Sequence, residues 1–157
     1  MSYISEPKED VGCVFCHHPS QPAAEDKENL ILYRGRHNFI IMNLYPYNNG
    51  HLMVVPYKHT GDLCDLNDDE LLEMMQLAQM ALRVFKKAFN PEGFNTGFNL
   101  GKAAGAGIRQ HIHFHVLPRW NGDTNFMPVL GETRVMPEHI SDTYDKLRPL
   151  FDLEAAK

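Results

Sequence analysis

The chain has 157 residues, 43% of them hydrophobic and 22% charged, which suits one globular domain and is short for two. A formal net charge of -5 excludes a non-specific nucleic-acid binder, which needs a surplus of Lys and Arg, yet leaves room for a small anion in a local pocket. No run of 18 apolar residues exists, and Met1-Ser2-Tyr3-Ile4-Ser5-Glu6 lacks the basic and apolar parts of a secretory signal, so the expected location is the cytoplasm, without membrane contact.

Residues 1–29 are polar and weakly periodic, and read as a loose arm. The arm carries the tight pair Cys13-Val14-Phe15-Cys16, while Cys64 stands alone, so the three cysteines make no disulfide framework. A redox pair would want a strand leading into a helix, whereas Pro19 and Pro22 follow here. A zinc knuckle fits better and needs two more ligands. His17 and His18 are at hand, but adjacent residues after a knuckle tend to splay apart. Cys64 reads as a small buried apolar residue.

Ile31 to Arg34 and Asn38 to Asn43 read as strands joined at Gly35-Arg36. Tyr45-Pro46-Tyr47-Asn48-Asn49-Gly50 is turn-rich, and His51 to Pro56 is a third strand, together an antiparallel meander. Asn67 and Glu70 form a capping-box pattern that opens a helix. Along it Leu71, Met75, Ala78, Leu82, Phe85 and Phe89 recur as an apolar stripe, and Asn90-Pro91 closes it. Phe94 to Leu100 is a further strand, followed by the small-residue loop 101–107. After Pro118 a loop is expected through Gly131, then an amphipathic segment from Glu138 to Phe151 with a helix ending near Pro149.

The most informative run is Gln110-His111-Ile112-His113-Phe114-His115-Val116-Leu117-Pro118. Strand side chains alternate between faces, so three imidazoles share one side while Ile112, Phe114 and Val116 share the other. Imidazole can serve near neutral pH as nucleophile, proton carrier or metal ligand. At roughly 3.3 Å per residue, His111 and His115 lie about 13 Å apart, too far for one zinc at about 2 Å from each ligand. The row must divide its labour.

The stretch from Asn99 to Pro118 resembles the histidine-triad (HIT) family of nucleotide hydrolases and transferases. Asn43, Pro46, Gly50-His51-Leu52 and Val55-Pro56-Tyr57-Lys58-His59 fall where that family has its other recurring features. The likeness spans roughly residues 11 to 137. The tail from Pro118 through Trp120 to Phe126 is similar to the branch containing diadenosine polyphosphate phosphorylases.

The resemblance implies an α+β fold, an antiparallel sheet of about five strands with one long helix and a C-terminal helix, and a homodimer. It implies that His113 attacks the α-phosphorus of a nucleotide to give a covalent nucleotidyl-histidine, its other ring N–H held by a backbone carbonyl. His115 would then contact the phosphoryl oxygens. Gly105 and Gly107 would let backbone N–H groups approach phosphate. Family members often have Ser or Thr where this chain has Ile108, which leaves backbone donors as the phosphate contacts, with Arg109 and Lys102 as further cations or plain surface charges. Asn43 falls where the family binds ribose hydroxyls, and Asn99 near the α-phosphate and sugar. Phe39, Ile41 or Leu52 could wall the base. Zinc (Zn2+) would be structural, held by Cys13, Cys16, His59 and His111.

The function so implied is nucleotidyl transfer from a dinucleoside polyphosphate or an adenylylated small molecule, with inorganic phosphate as acceptor. Water as acceptor, in a dinucleotide or nucleoside phosphoramidate hydrolase, is the alternative. Two other classes stay open: a non-catalytic nucleotide-binding module, and a metalloenzyme using His111 and His113 as an open chelate.

Overall fold

The computed structural model describes residues 12–123 and 138–157. Strands β1 (Ile31–Arg34), β2 (Asn38–Met42), β3 (Leu52–Pro56), β4 (Gly93–Phe98) and β5 (Phe114–Arg119) form one antiparallel sheet in the order β1-β2-β3-β5-β4. Helix α1 (Val14–Ser20) precedes them, α2 (Asp68–Phe89) joins β3 to β4, and α3 (Ile140–Ala155) closes the chain. This is the α+β architecture expected from the sequence. The first eleven residues of the arm, the loop from 124 through Gly131 and the tail at Phe126 lie outside the described residues.

Strand alternation gives the sheet two apolar faces. Ile40, Met42, Leu52, Val54, Phe114 and Val116 face α2 and α3, meeting Met74, Leu77, Val84, Leu147 and Phe151. Phe39, Ile41, Met53 and Val55 face the other way and receive Phe15 from α1. Register links the two halves: Met53 opposes His115 and Val54 opposes Phe114, so β5 is pinned beside a strand buried along its whole length. Gly50, with φ +77°, allows the turn into β3, and a Cβ there would stand 3.1 Å from the Phe85 ring.

Helix α2 begins as its sequence demands. Glu70 N–H donates to Asn67 Oδ1 (2.9 Å), and Asn67 N–H donates to the Glu70 carboxylate (2.8 Å). Its buried row differs from the expected stripe: Met74, Leu77, Ala81 and Val84 are buried, whereas Met75 is exposed and Leu71 and Leu82 are half-buried. The helix is apolar over two adjacent rows, and periodicity cannot say which of them the sheet and α3 will cover.

Three further expectations are corrected. From residue 12 onward the arm is not loose: α1 seats Phe15 in the core, and the Arg34 guanidinium donates to Pro19 O (2.6 Å), Gln21 O (3.0 Å) and the buried Asp26 carboxylate (2.7 Å). A two-turn helix held by one arginine leaves little periodic signal. Pro149 does not end the last helix, which continues to Ala155 because Phe151 and Glu154 are buried and Glu154 meets Arg83 (3.1 Å) and Lys87 of α2. Cys64 is exposed, its N–H given to Asp62 Oδ1 (2.9 Å).

Glu73 ties α2 to the β1–β2 turn. Its carboxylate accepts the backbone N–H groups of Arg36, His37 and Asn38, each at 2.7 Å, and the Asn38 amide at 3.0 Å. Burial raises its pKa, but these four donors together override burial and leave it below the ordinary carboxylate value. The stabilisation is therefore present above the unfolded-state pKa, about 4.3, and is lost as pH falls through the lower native value. Glu73→Ala should cost about 1–3 kcal/mol in urea unfolding at pH 7 through the stranded donors, and the difference from wild type should shrink in acid. Among the described residues, no helix is long and apolar enough to cross a membrane.

Candidate active site

Only His115 of the three alternating histidines lies in the paired part of β5; His111 and His113 precede it as unpaired backbone. The alternation survives, since Ile112, Phe114 and Val116 all enter the helix-side core. Backbone bonding fixes the approach: Ile112 N–H donates to Thr60 O (2.6 Å). Gly61 adds a contact that only glycine permits, because a Cβ there would stand 2.3 Å from Arg109 O. No feature of the sequence had marked Gly61.

Each imidazole has a defined tautomer, because a carbonyl can only accept. His113 Nδ1 lies 2.9 Å from His111 O, so that nitrogen carries the proton and Nε2 keeps its lone pair. His111 Nε2 lies 2.8 Å from Pro56 O, so its lone pair is on Nδ1. For His115 the assignment comes through His51, a fully buried residue that sequence reasoning noted only as part of a motif. Tyr47 N–H donates to His51 Nδ1 (3.1 Å), which puts the His51 proton on Nε2, 2.8 Å from His115 Nδ1. His115 thus accepts on Nδ1 and holds its own proton on Nε2. Asn99 Nδ2 stands 3.5 Å from that nitrogen, donor facing donor, so a bond there requires the amide turned to bring Oδ1 to the His115 N–H. Burial pushes the pKa of His113 down, and burial with the neighbouring His113 takes that of His115 to about 4. Both rings are neutral at pH 7, one presenting a lone pair and the other an N–H.

The two rings line a pocket of about 300 Å³. Its walls are Phe15, Leu30, Ile41, Met53 and Ile108, with Asn43, Tyr47 and Gly107 around the histidines. Ile41 is thus the one proposed wall residue that reaches the pocket. Phe39 lies beneath it in the arm-side core, and Leu52 faces the helices, the opposite side of the sheet. The wall residues from the arm and from Met53 were missed, since nothing local announces which parts of the chain will face each other. Phe15 touches the His113 ring at 5.1 Å between centroids. Asn43 Oδ1 accepts the Tyr45 N–H (2.9 Å). Gly105 is not brought to the pocket: its N–H donates to Lys102 O (3.0 Å), and the turn it serves is exposed with Lys102 and Arg109.

On the far side of His111 a second cluster forms. Cys13 Sγ lies 3.3 Å and Cys16 Sγ 3.6 Å from His111 Nδ1, Cys16 Sγ lies 3.2 Å from His59 Nδ1, and the two Nδ1 atoms are 3.3 Å apart. All four donor atoms fall within 4.8 Å of one another. A tetrahedral zinc at about 2.3 Å from sulfur and 2.0–2.1 Å from nitrogen requires N···N edges of about 3.3 Å and S···N edges of about 3.5 Å. The donor set fits that ion, and the Pro56 carbonyl supplies the outer hydrogen bond that aims His111 Nδ1 inward. His17 and His18 stay out of the cluster. His113 is no part of it either, which excludes a chelate made of His111 and His113.

Residues 24–122 match the HIT domain family. Over 130 residues the chain is 47% identical to an AP-4-A phosphorylase of Mycobacterium tuberculosis, covering 80% of this chain and 67% of that protein. It is 27% identical over 132 residues to the bis(5'-adenosyl)-triphosphatase of Dictyostelium discoideum, covering 80% and 88%. Among solved structures it is similar to a Zn-bound histidine triad family protein from Mycobacterium smegmatis, with 30% identity, a TM-score of 0.70, and coverage of 93% of this chain and 98% of that one.

Proposed function

The chain belongs to the HIT family, and from that premise we propose that it is a nucleotidyl-transferring enzyme that cleaves dinucleoside polyphosphates at the α-phosphorus, with inorganic phosphate as acceptor. One observation carries this reading: His113 is a neutral imidazole whose Nδ1–H is tied to a carbonyl while its ring lines a nucleotide-sized pocket.

The chemistry follows from the tautomers. The His113 Nε2 lone pair forms a bond to the α-phosphorus as the phosphorus–oxygen bond to the leaving nucleotide breaks. Charge gathers on the leaving oxygen, and the His115 Nε2–H donates a hydrogen bond to it, backed by His51. A nucleotidyl group remains on His113, its positive ring stabilised through Nδ1–H by His111 O. A phosphate oxygen then attacks phosphorus, the phosphorus–nitrogen bond breaks, and the lone pair returns to His113. Asn43 holds the ribose, Asn99 acts near the α-phosphate, and Gly107 offers backbone to the phosphates, whereas the exposed turn at Gly105 would have to move to do so. From the tetraphosphate the products are a nucleoside diphosphate and a nucleoside triphosphate.

Zn2+ belongs to the same reading, held by Cys13, Cys16, His59 and His111 in a closed structural site with no open position for substrate. So does a homodimer, since β4 is an outer strand of the sheet with an edge that a second copy could pair. The chain would act as one domain, in a reducing compartment such as the cytoplasm that keeps Cys13, Cys16 and Cys64 out of disulfides.

Incubation of the purified protein with diadenosine tetraphosphate, with and without inorganic phosphate, tests the acceptor. ADP and ATP in equal amounts, formed only when phosphate is present, is the expected result. AMP and ATP at a rate indifferent to phosphate would make the protein a hydrolase.

A further inference from the structure

Three large apolar side chains follow Asn43 closely and stay exposed at the mouth of the pocket: Leu44 (54%), Tyr45 (74%) and Tyr47 (48%). Leaving such side chains in water forgoes hydrophobic free energy unless something covers them. Tyr47 has work in the free protein. Its ring stacks on His115 at 5.8 Å and 29°, and lies 4.7 Å from His51. Tyr45 differs: among the described residues its ring makes no hydrogen bond and no ring contact. Its backbone N–H is nevertheless fixed to Asn43 Oδ1 (2.9 Å), so the residue is anchored at the rim while its ring stays open to solvent.

The pocket volume says what could lie there. At about 300 Å³ it sits at the lower end of small-molecule sites, room for one nucleoside and not for two. A dinucleoside polyphosphate bound with one nucleoside inside, and its α-phosphorus at His113, must lay the other nucleoside over the rim. We propose that Tyr45 is the stacking platform for the base of that outer nucleoside, and that it thereby favours dinucleoside polyphosphates over ligands with a single nucleoside. The proposal rests on the function proposed above and names a subsite within it. Every base offers a π-face, so the platform would accept different outer bases.

The test compares the metal-loaded wild-type protein with Tyr45→Ala and Tyr45→Phe. Each is assayed for KM and kcat with diadenosine tetraphosphate and for the inhibition constant of AMP, which has no outer nucleoside. Base–aromatic stacking is worth roughly 5- to 150-fold in affinity, so Tyr45→Ala should raise KM for the dinucleotide about tenfold. It should leave kcat and the AMP constant within about twofold, and Tyr45→Phe should behave as wild type. A KM that does not move, or a dinucleotide and AMP weakened alike, overturns the platform. A wild type that turns over no dinucleotide overturns the function instead. The platform is then judged by calorimetric Kd values for the same two ligands, where equal loss or no loss rejects it. Should Tyr45→Ala leave nucleotides alone but abolish self-association in sedimentation, the exposed patch belongs to a second copy of the chain and the proposal is wrong.

Discussion

His113→Asn is expected to lower turnover of diadenosine tetraphosphate by roughly four orders of magnitude or more, since it removes the atom that bonds to phosphorus and an enzyme without its nucleophile keeps only what binding and electrostatics supply. Asparagine is smaller than the ring but can place an amide N–H where Nδ1 stood, so the bond to His111 O can be kept. The variant should still bind nucleotide, with Kd for AMP within a few-fold of wild type, which separates lost chemistry from lost structure. His115→Asn should fall between the two, losing about a hundredfold to a thousandfold in kcat because it removes one donor from the leaving oxygen. Wild-type protein quenched in alkali after mixing with labelled dinucleotide should retain an acid-labile phosphoramidate on His113. His113→Asn should retain none. Full activity in His113→Asn would end the covalent reading and leave a nucleotide-binding module in its place.

Removing the proposed zinc should give the second large effect. Cys13, Cys16, His59 and His111 come from three separate segments, so an ion held by all four closes the arm onto the sheet. A ligand at a thousand times its Kd stabilises the native state by about 4 kcal/mol. For a chain of this length that corresponds to a Tm difference of about 8–16 °C. Chelation, or Cys13→Ser, should produce a loss of this size, with elemental analysis falling from one equivalent of zinc to none. The consequence should extend to the nucleotide. Helix α1 starts just after Cys13, carries Cys16 in its first turn and supplies Phe15 between them, one wall of the slot and a contact of the His113 ring. Loss of the metal should therefore weaken AMP binding, while His113 keeps its bond to His111 O and the chemical step per bound substrate changes little. Protein that keeps its Tm and AMP affinity after complete chelation would show that the four residues hold the arm without an ion.

The elements legible in the sequence are those whose cause is local. The capping box of Asn67 and Glu70, the Asn90 stop of α2, the five strands and the face-to-face alternation from His111 to Val116 each follow from side chains within a few residues of one another. The same locality marked the Cys13–Cys16 pair and the division of labour along the histidine row, because 13 Å of strand cannot be bridged by one ion.

What the sequence could not decide needed partners distant along the chain. Which apolar row of α2 is buried depended on where the sheet and α3 settled. Pro149 was overruled by Phe151 and Glu154, whose contacts hold the helix beyond it. The protonation of His115 depends on Tyr47 and His51, which lie more than 60 residues away in sequence. Phe15 and Met53 became pocket wall only once α1 and β3 met the turn before β5. Residue type and spacing determined the chemistry this chain can carry. Tertiary structure alone decided which nitrogen holds each proton and which side chains face His113, because both are set by through-space contacts that close long loops.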